Sequence, residues 1–254
     1  MGVTSFDITE NLSIVGNLPL LYIKDINALV AADLHLGVEA VMLNDGSFAP
    51  HNQTDYVVET LSFYLKKLKP KLLILNGDVK HSFQEPTKME NRDVKKFLND
   101  ICSLVPEVHI IKGNHDLFLS WAIKDIPNIK FHTSSLILEN YYFTHGDKEV
   151  EQKLPESIEY IIIGHLDPVM QARLNGLQKV RSPTFLLGPL KSRNHKLLIL
   201  PAFTEYSSGC PIHPNSTGHL IVPILQEDAD IEDFELYVLG KEEVFHFPEL
   251  KLWM

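Results

Sequence analysis

Five apolar runs of this sequence end in side chains that can hold a metal ion. The runs are "VAADLH" (residues 30–35), "LILNGD" (73–78), "IIKGNHD" (110–116), "YFTHGD" (142–147) and "IIIGHLD" (161–167). One such ending would be an ordinary turn, since glycine and aspartate are common loop residues. Because the pattern recurs, we interpret the endings as parts of one site. The candidate ligands are Asp33, His35, Asp78, Asn114, His145, His165 and Asp167.

These carboxylates, imidazoles and the amide oxygen form a mixed nitrogen and oxygen donor set. Such a set suits manganese, iron or zinc better than a soft ion bound by thiolates. The ligands are too many for one tetrahedral site, but they fit two ions that share a bridging carboxylate, roughly 3.5–4 Å apart. Two-ion centres of this kind clamp the attacking and leaving oxygens in phosphoryl transfer. The residues therefore predict metal-assisted chemistry at a phosphate group.

The elements that must position these residues form a β-α-β-α-β pattern in the first half of the chain. Three segments are predicted strands: "NALVAAD", "KLLILNGD" and "EVHIIKGNHD". Two segments have apolar residues at helical spacing: "TDYVVETLSFYLKKL" and "MENRDVKKFLNDICSLV". The pattern predicts a largely parallel sheet covered by helices. Since ligands bind at the carboxyl ends of parallel strands, residues far apart in sequence are expected to converge there.

After about Lys130 the pattern changes to closely spaced short runs. These runs are "SLILEN", "YYFTHGD", "YIIIGHLD", "VMQARL", "TFLLG", "KLLIL", "GHLIV" and "FELYVLG", and they predict a second half rich in strands. No linker, low-complexity tract or repeat separates the two halves. We therefore predict one domain, residues 1–254, that contains two sheets.

Length and composition restrict the class of protein. The chain has 254 residues, and 44% of them are hydrophobic, which supplies a sizeable core. Its apolar runs are far shorter than the roughly 20 residues needed to span a bilayer, and its acidic start lacks the basic region of an export signal. Cys102 and Cys210 have no C-x-x-C spacing, so they indicate neither a disulfide framework nor a cysteine zinc site. We expect a cytoplasmic protein without a membrane partner.

The charge pattern bears on nucleic acid as a partner. A formal net charge of -10 argues against a protein that coats nucleic acid by positive charge alone. Between Asp167 and Glu205, however, there is no acidic residue. The basic residues of this segment are Arg173, Lys179, Arg181, Lys191, Arg193 and Lys196. We interpret the segment either as a solvated face or as one side of the metal cleft that holds an extended polyanion.

The order of the motifs resembles the calcineurin-like metallophosphoesterases. Asp-x-His, Gly-Asp, Gly-Asn-His-Asp, His-Gly and Gly-His-x-Asp follow one another from Asp33 to Asp167, over half the chain. Single motifs are weak, but the ordered set at strand ends is very specific. The stretches "DLHLGVEA", "NGDVKHS" and "LILPAF" resemble small phosphoesterases related to the SbcD-type nuclease subunit, including bacterial relatives associated with DNA ligases. The resemblance implies an α-β-β-α sandwich of two facing mixed sheets flanked by helices.

The resemblance also implies a role for each residue. The implied ligands are Asp33 and His35 for the first ion, Asp78 as the bridge, and Asn114, His145 and His165 for the second ion. His115 would face the scissile group and protonate the leaving oxygen or stabilise charge, and Asp116 would orient it. A hydroxide bridging the two ions would attack phosphorus in line.

Asp167 departs from the family pattern, which usually has a histidine at this position. We expect Asp167 to ligate the first ion, and Pro168 to hold it in an extended conformation. A first site with three carboxylates and one imidazole gains affinity for manganese or ferrous iron relative to zinc. The expected cofactors are therefore two divalent ions, with manganese favoured and iron or zinc as alternatives.

Two further residues near these motifs need an interpretation. His81, in the loop after Asp78, either supports a ligand or contacts phosphate. Trp121 follows the "GNHD" turn, and we expect it to pack in the core rather than to bind substrate.

Three functions remain open from the sequence. The first is a phosphodiesterase or nuclease acting on DNA or RNA, which the resemblance and the basic segment favour. The second is a phosphoesterase for a cyclic nucleotide or a phosphomonoester, which the acidic net charge favours. The third is a catalytically silent scaffold with the same fold. Loops select the substrate of a shared metal core, so the motifs alone do not separate the first two functions.

Overall fold

The computed structural model describes residues 3–44, 46–47, 53–174, 178–212 and 221–253. The described strands form two mixed sheets, and helices pack on the outer faces of these sheets. This architecture confirms the α-β-β-α sandwich that the resemblance implied.

The first sheet has seven strands in sequence order. They are β1 (Ser5–Asp7), β2 (Leu12–Val15), β3 (Leu21–Ile23), β4 (Ala28–Ala31), β5 (Leu72–Asn76), β6 (Glu107–Ile111) and β7 (Ile129–His132). The helices between the parallel strands are α1 (Val38–Asn44), α2 (Gln53–Leu68), α3 (Lys88–Cys102) and α4 (Leu119–Ile123). Strands β1 to β4 pair antiparallel, and β4 to β7 pair parallel. The β-α-β-α-β pattern of the sequence is therefore the parallel half of this sheet.

The second sheet has nine strands. They are β8 (Ser135–Leu138), β9 (Tyr141–Thr144), β10 (Tyr160–Ile163), β11 (Pro168–Leu174), β12 (Gln178–Pro189), β13 (Lys196–Ile199), β14 (Cys210–Ile212), β15 (Glu235–Leu239) and β16 (Val244–Phe247). Their order is β14-β11-β12-β13-β10-β9-β8, and β15 pairs with β12 and β16. Strands β9, β10 and β13 run parallel in its centre. A fifth helix, α5 (Pro223–Asp228), and two 3-10 helices, Ile231–Asp233 and Leu250–Trp253, follow β14 and β16.

Three apolar clusters define the layers of the sandwich. One lies between the first sheet and helices α2 and α3, and it includes Leu75 and Phe97. A second lies between the two sheets, where Ile74 packs in the same cluster as Ile162 and Leu198. The third covers the outer face of the second sheet with residues of α5. Burial of both faces explains the continuous apolar runs of the central strands.

The two long helices follow from their sequences. In α2, Val57, Leu61 and Leu65 recur every four residues and are buried against the sheet. Helix α3 begins where the side chain of Thr87 accepts a hydrogen bond from the Glu90 amide at 3.1 Å. Among the described helices, none has the length and apolar character needed to cross a membrane.

Some elements differ from the sequence prediction. The antiparallel strands β1 to β3 and helix α5 were not predicted, because their runs are short and have no clear period. The run "GHLIV" (218–222) is not a strand where it can be described: residues 218–220 lie outside the described residues, and Val222 caps the start of α5.

Candidate metal centre

The candidate ligands lie at one edge of the sandwich. Asp33 and His35 follow β4, Asp78 follows β5, Asn114 follows β6, His145 follows β9, and His165 and Asp167 follow β10. These are the carboxyl ends of parallel strands from both sheets. A backbone hydrogen bond joins the two sheets here, from Phe203 N to Ala32 O at 3.0 Å, and another joins two loops of the second sheet, from Gly164 N to His145 O at 2.9 Å.

The carboxylate of Asp78 is the centre of this arrangement. Its Oδ2 lies 3.2 Å from Nε2 of His145, 3.8 Å from Nε2 of His115 and 4.0 Å from Nε2 of His35. Its Oδ1 accepts a hydrogen bond from the His115 amide at 2.9 Å. Burial opposes ionisation of Asp78, but the hydrogen bond to His145 and the nearby imidazoles lower its pKa to about 2. Asp78 is therefore a buried carboxylate that stays charged.

Three groups of side chains have donor atoms within 4.8 Å of one another in the described residues. The groups are Asp33, His35 and Asp78; Asp78, His145 and His165; and His35, His81 and His115. Asp78 belongs to the first two groups and thus connects them. The first two groups together contain five of the expected ligands, divided as the resemblance implied, with Asp78 common to both.

Several observations fit a divalent cation at these groups. Oδ1 of Asp33 is buried and has no hydrogen-bond partner in the described part of the chain. Burial raises the pKa of Asp33 well above its usual value, and the charge of Asp167 raises it further. A cation would compensate such a carboxylate. Burial also lowers the pKa of His35 to about 3, which keeps its imidazole neutral, as a metal ligand must be.

His145 and Asn114 complete the donor set on the other side of Asp78. Nε2 of His145 lies 2.9 Å from Oδ1 of Asn114 and 3.2 Å from Asp78, while its Nδ1 donates to the carbonyl of Asn76 at 3.2 Å. Burial disfavours a charged His145, but the hydrogen bond to Asp78 and the charges of Asp33 and Asp78 raise its pKa to about 10. Without an ion His145 is therefore protonated, and a divalent ion would replace the Nε2 proton, since this nitrogen faces two oxygens and such an ion accepts this set of donors.

Asp167 lies beside these groups but is not a member of them. Its Oδ2 accepts a hydrogen bond from Ser207 Oγ at 2.6 Å, and its Oδ1 is buried without a hydrogen-bond partner among the described residues. Burial and the charge of Asp78 raise the pKa of Asp167 to about 6, although the Ser207 hydrogen bond opposes this shift. The expectation that Pro168 holds Asp167 extended is wrong, because the residue has a φ of 52° in the left-handed region.

His115 is held by the loop after β5 rather than by its neighbour. Its Nδ1 donates to the carbonyl of His81, and its ring contacts Phe83 with centroids 3.6 Å apart. The prediction that Asp116 orients His115 is wrong. The buried carboxylate of Asp116 accepts hydrogen bonds from the amides of Lys80 at 3.2 Å and Gly113 at 3.0 Å, so it fixes the two loops instead. Burial raises the pKa of Asp116 to about 6.

Backbone strain is concentrated at this edge. Of the ten non-glycine residues with positive φ in the described part of the chain, half are candidate ligands: Asp33, His35, Asp78, His165 and Asp167. Left-handed backbone is costly for such residues and persists where the surroundings enforce it, often at functional sites. Here hydrogen bonds along the loops enforce it, such as His35 N to Asp78 O at 2.9 Å.

Two of the glycines in the motifs are explained by close approach. A Cβ at Gly113 would overlap the carboxylate and the amide nitrogen of Asp78, and one at Gly164 would overlap the carboxylate of Asp33. Glycine permits this close approach because it has no Cβ. The structure shows that the candidate ligands themselves take up the space.

Sequence reasoning missed two buried residues that build the site. Asn76, at the end of β5, donates from Nδ2 to Thr144 O at 3.0 Å and to Ile162 O at 3.1 Å, which ties the first sheet to the second. Glu90, on α3, accepts from the amides of His81 and Ser82 at 3.0 and 2.7 Å. Asn76 precedes the Gly-Asp motif and could have been suspected as a polar residue inside an apolar run; Glu90 has no such signal.

A cavity of about 260 Å³ opens beside the histidine group. His35, His81 and His115 form one wall, and the loop after β13 forms the other wall through Thr204, Tyr206, Ser207 and Ser208. Nδ1 of His81 lies 3.3 Å from Nδ1 of His35, so His81 supports a candidate ligand and also lines the cavity. Both interpretations of His81 are therefore compatible with its position.

The basic segment does not form one side of this cavity. Lys196 starts β13, at the opposite end of the strand from the candidate ligands, and its Nζ lies 5.6 Å from the ring centre of Tyr160. In the turn before β13, Arg193 donates to Asp228 at 2.9 Å and to the carbonyl of Glu151 at 2.7 Å. The expectation that all six basic residues line the metal cleft is therefore wrong.

The other four members of the segment differ in position. Lys191 lies 3.7 Å from the carboxylate of Asp230, in the same turn as Arg193. Arg181 donates to the carbonyl of Ser208, which places this guanidinium at the rim of the cavity. The side chains of Arg173 and Lys179 lie outside the described residues.

The model of the calcineurin-like phosphoesterase family matches residues 26–198, which is more than half of the chain. No curated protein matches the chain.

Solved structures of similar fold include the nuclease MPE from Pseudomonas putida. It has 20% sequence identity and a TM-score of 0.62, with 97% of this chain and 100% of that chain covered. The phosphoesterase YfcE from E. coli has 15% identity and a TM-score of 0.40, with 87% and 98% covered. The protein AQ665 from Aquifex aeolicus, of unknown function, has 20% identity and a TM-score of 0.36, with 54% and 77% covered. At these identities the similarity to the Pseudomonas nuclease shows the fold alone.

Proposed function

Because the chain belongs to the calcineurin-like phosphoesterases, we propose that it is a phosphodiesterase that cuts nucleic acid at a centre of two divalent ions. Membership makes it a phosphoester hydrolase. The two-ion centre, the manganese preference and the nucleic-acid substrate are the parts that we add.

The position of Asp78 carries the proposal. Its carboxylate belongs to two groups of donor atoms, Asp33 and His35 on one side and His145 and His165 on the other. A carboxylate that is common to two groups is what a bridged pair of ions requires. In this proposal Asn114 adds to the second group through its contact with His145, and Asp167 adds to the first through its Oδ1, which has no hydrogen-bond partner among the described residues. When bound, the divalent ions supply a nucleophilic water near neutral pH and neutralise charge on the phosphoryl oxygens.

His115 acts on the leaving group in this proposal. The carbonyl of His81 only accepts hydrogen bonds, so Nδ1 of His115 carries a proton, and Nε2 is the nitrogen on the side of the candidate ligands, 3.8 Å from Oδ2 of Asp78. A second proton on Nε2 is the one available to the leaving oxygen. The loop that contains His81 thus determines which nitrogen of His115 meets the substrate.

Two observations support nucleic acid as the substrate. The cavity opens at the rim where Arg181 is held, so a chain of phosphates can run out of it. The Pseudomonas protein of similar fold is named a nuclease. A small phosphoester is the second candidate, and the net charge of -10 favours it because it weakens attraction for a polyanion. A catalytically silent scaffold is disfavoured. Buried carboxylates and imidazoles that lie close together lower the stability of the fold, and a protein without activity would have no reason to keep them.

An activity assay separates these functions. Metal-stripped protein with added manganese is offered a model diester, a model monoester, single-stranded DNA and double-stranded DNA. We expect hydrolysis of the diester and of DNA. Hydrolysis of the monoester alone would favour the small-substrate function, and no hydrolysis of any substrate with bound metal would favour the scaffold.

A pair of variants tests the assigned roles. His115→Asn should reduce turnover about 10²–10⁴-fold, because it removes a proton donor, while the protein still binds two manganese ions. Asp78→Asn should reduce the metal content at both sites, since it removes the shared carboxylate. His246→Asn is the matched control, because this histidine lies on β16 in contact with Glu235. Loss of metal from His115→Asn with normal metal content in Asp78→Asn would contradict the assignment.

A further inference from the structure

Three exposed aromatic side chains belong either to the loop that contacts His115 or to the segment that follows it in the chain. Phe83 is 56% exposed, Phe118 is 39% exposed and Trp121 is 64% exposed. Phe83 lies in the loop between β5 and α3, and Phe118 and Trp121 lie at the start of α4, directly after the "GNHD" turn. The expectation that Trp121 packs in the core is therefore wrong. Apolar side chains grouped at the surface usually mark a binding surface.

Phe83 is the aromatic residue of this surface that contacts His115. Its ring covers that of His115, with a centroid distance of 3.6 Å and an angle of 32° between the planes. Since more than half of Phe83 remains exposed, the side of the ring that faces away from His115 is open to solvent. A flat group lying on that open face would be adjacent to the leaving group that His115 protonates.

The second aromatic contact is between Phe118 and Trp121. Phe118 has a φ of 69°, a left-handed conformation that is rare for a bulky residue. Its ring centre lies 5.1 Å from that of Trp121, and both rings line a hollow of about 140 Å³ whose walls include Lys80 and Lys95. Strain of this kind is characteristic of functional surfaces. Aromatic rings next to basic side chains are the combination that binds unpaired nucleotides.

We propose that Phe83 is a base-stacking residue that selects a phosphodiester whose leaving nucleoside carries an unpaired base. This inference rests on the proposed function, since it names the feature by which the same site chooses its substrate. The face of a base in a duplex is covered by its neighbours, whereas an unpaired base can stack on an exposed ring. The enzyme is therefore expected to cut unpaired strands in preference to duplex.

Dinucleotides test the role of Phe83. The substrates are thymidylyl-thymidine and an analogue whose leaving nucleoside lacks its base, with manganese present. Stacking on an aromatic residue is worth about 1–3 kcal/mol per base. We therefore expect the parent to prefer the complete dinucleotide by roughly tenfold to a hundredfold in kcat/KM. Phe83→Ala should remove this preference through a higher KM, and Phe83→Trp should restore it.

A control variant and a binding measurement complete the test. Phe63→Ala removes a 51% exposed phenylalanine on α2, which is not part of the site, and should keep the preference. In Phe83→Trp without metal, the dinucleotide should quench fluorescence more strongly than in the parent, because the new indole stacks on the base.

The results distinguish an error in the role of Phe83 from an error in the proposed function. If Phe83→Ala slows both dinucleotides equally, the ring only positions His115, and the inference is wrong while the proposed function stands. The same conclusion follows if Phe83→Ala keeps the preference of the parent. If the parent hydrolyses neither dinucleotide nor any other diester, the proposed function fails and the inference fails with it.

Discussion

At the scale of single residues, the site combines charges that would not be stable together in an ordinary core. Asp33 and Asp78 are buried and Asp167 beside them is half-buried, and Asp33 and Asp167 each have a buried oxygen without a hydrogen-bond partner among the described residues. Isolated buried carboxylates are costly. We therefore infer that these residues serve a bound cation rather than the stability of the fold.

Asp167 allows a direct test of this inference. Asp167→Ala should lower the affinity for one of two manganese ions at least tenfold, because loss of a partner of a metal ligand already costs about 10–100-fold. Asp167→His should restore two-metal binding and shift preference towards zinc, since imidazole suits zinc. Metal content after dialysis against a series of manganese and zinc concentrations measures both effects.

Ser207→Ala is the control for Asp167. It removes the 2.6 Å hydrogen bond to Oδ2 but keeps the carboxylate, so it should change metal affinity less than Asp167→Ala. If Asp167→Ala binds two manganese ions as tightly as the parent and hydrolyses a diester at the same rate, Asp167 is not a ligand.

At the scale of elements, one loop connects helix α3 to His115, the proposed proton donor. Residues 80–83 leave β5, and Glu90 on α3 holds the amides of His81 and Ser82. The same loop presents the His81 carbonyl to His115 and the His81 ring to His35. Gly37 lies against Glu90, where a Cβ would overlap the Glu90 side chain, so the loop after β4 is packed into the same unit. Helix α3 thus contributes to the position of His115 through the loop rather than by direct contact.

Glu90 is therefore expected to be a positioning residue. Glu90→Ala should lower kcat about tenfold to a hundredfold with little change in metal content, because the loop loses both amide hydrogen bonds. Glu90→Gln keeps an acceptor oxygen and should retain most of the rate. Hydrogen exchange of the His81 and Ser82 amides should speed up in Glu90→Ala and remain slow in Glu90→Gln.

The control for Glu90 lies on the same helix. Asp100→Ala removes an exposed carboxylate near the end of α3 and should change neither the rate nor the amide exchange. Unchanged amide exchange in Glu90→Ala would show that the loop is held by other contacts.

The elements also show what the sequence could and could not predict. The strands that end in candidate ligands were predictable, because continuous apolar runs and helical spacing are local signals. The hydrogen bonds of Asn76, Glu90 and Asp116 were not, because they depend on which loops meet at the edge of the sandwich. Asp116 lies beside His115 in sequence, yet its carboxylate turns to the amides of Lys80 and Gly113. Side-chain direction in a turn cannot be inferred from adjacency.

The position of the basic segment was unpredictable for the same reason. Lys196 and Arg181 lie close in sequence, but the antiparallel pairing of β12 and β13 places them at opposite ends of the second sheet. The basic residues are clustered in the sequence, but in the structure they do not form one surface beside the cavity. Of the segment's described side chains, Arg181 alone is in contact with a residue that lines the cavity.

At the scale of the whole molecule, the site is where the two sheets are joined. Candidate ligands that follow β4, β5 and β6 of the first sheet face candidate ligands that follow β9 and β10 of the second. An ion bound between them would cross-link the sheets, and a ligand that binds only the folded state adds to its stability. Metal binding should therefore be visible in the unfolding of the entire protein.

Thermal unfolding with and without manganese tests this coupling. At a manganese concentration of about 100 times Kd, binding adds about 2.7 kcal/mol per site. For a chain of this size the shift in Tm is then about 5–10 °C for each occupied site.

Asp33→Asn should show two opposite effects. Without metal its Tm should exceed that of the parent, because a buried carboxylate next to Asp167 is neutralised. The rise in Tm that manganese causes in the parent should be mostly lost in the variant, because a ligand is missing. Asp100→Asn, an exposed site on α3, should leave both values as in the parent. If Asp33→Asn kept the full increase with manganese, Asp33 would not bind the ion, and the link between the two sheets would have to be assigned to other residues.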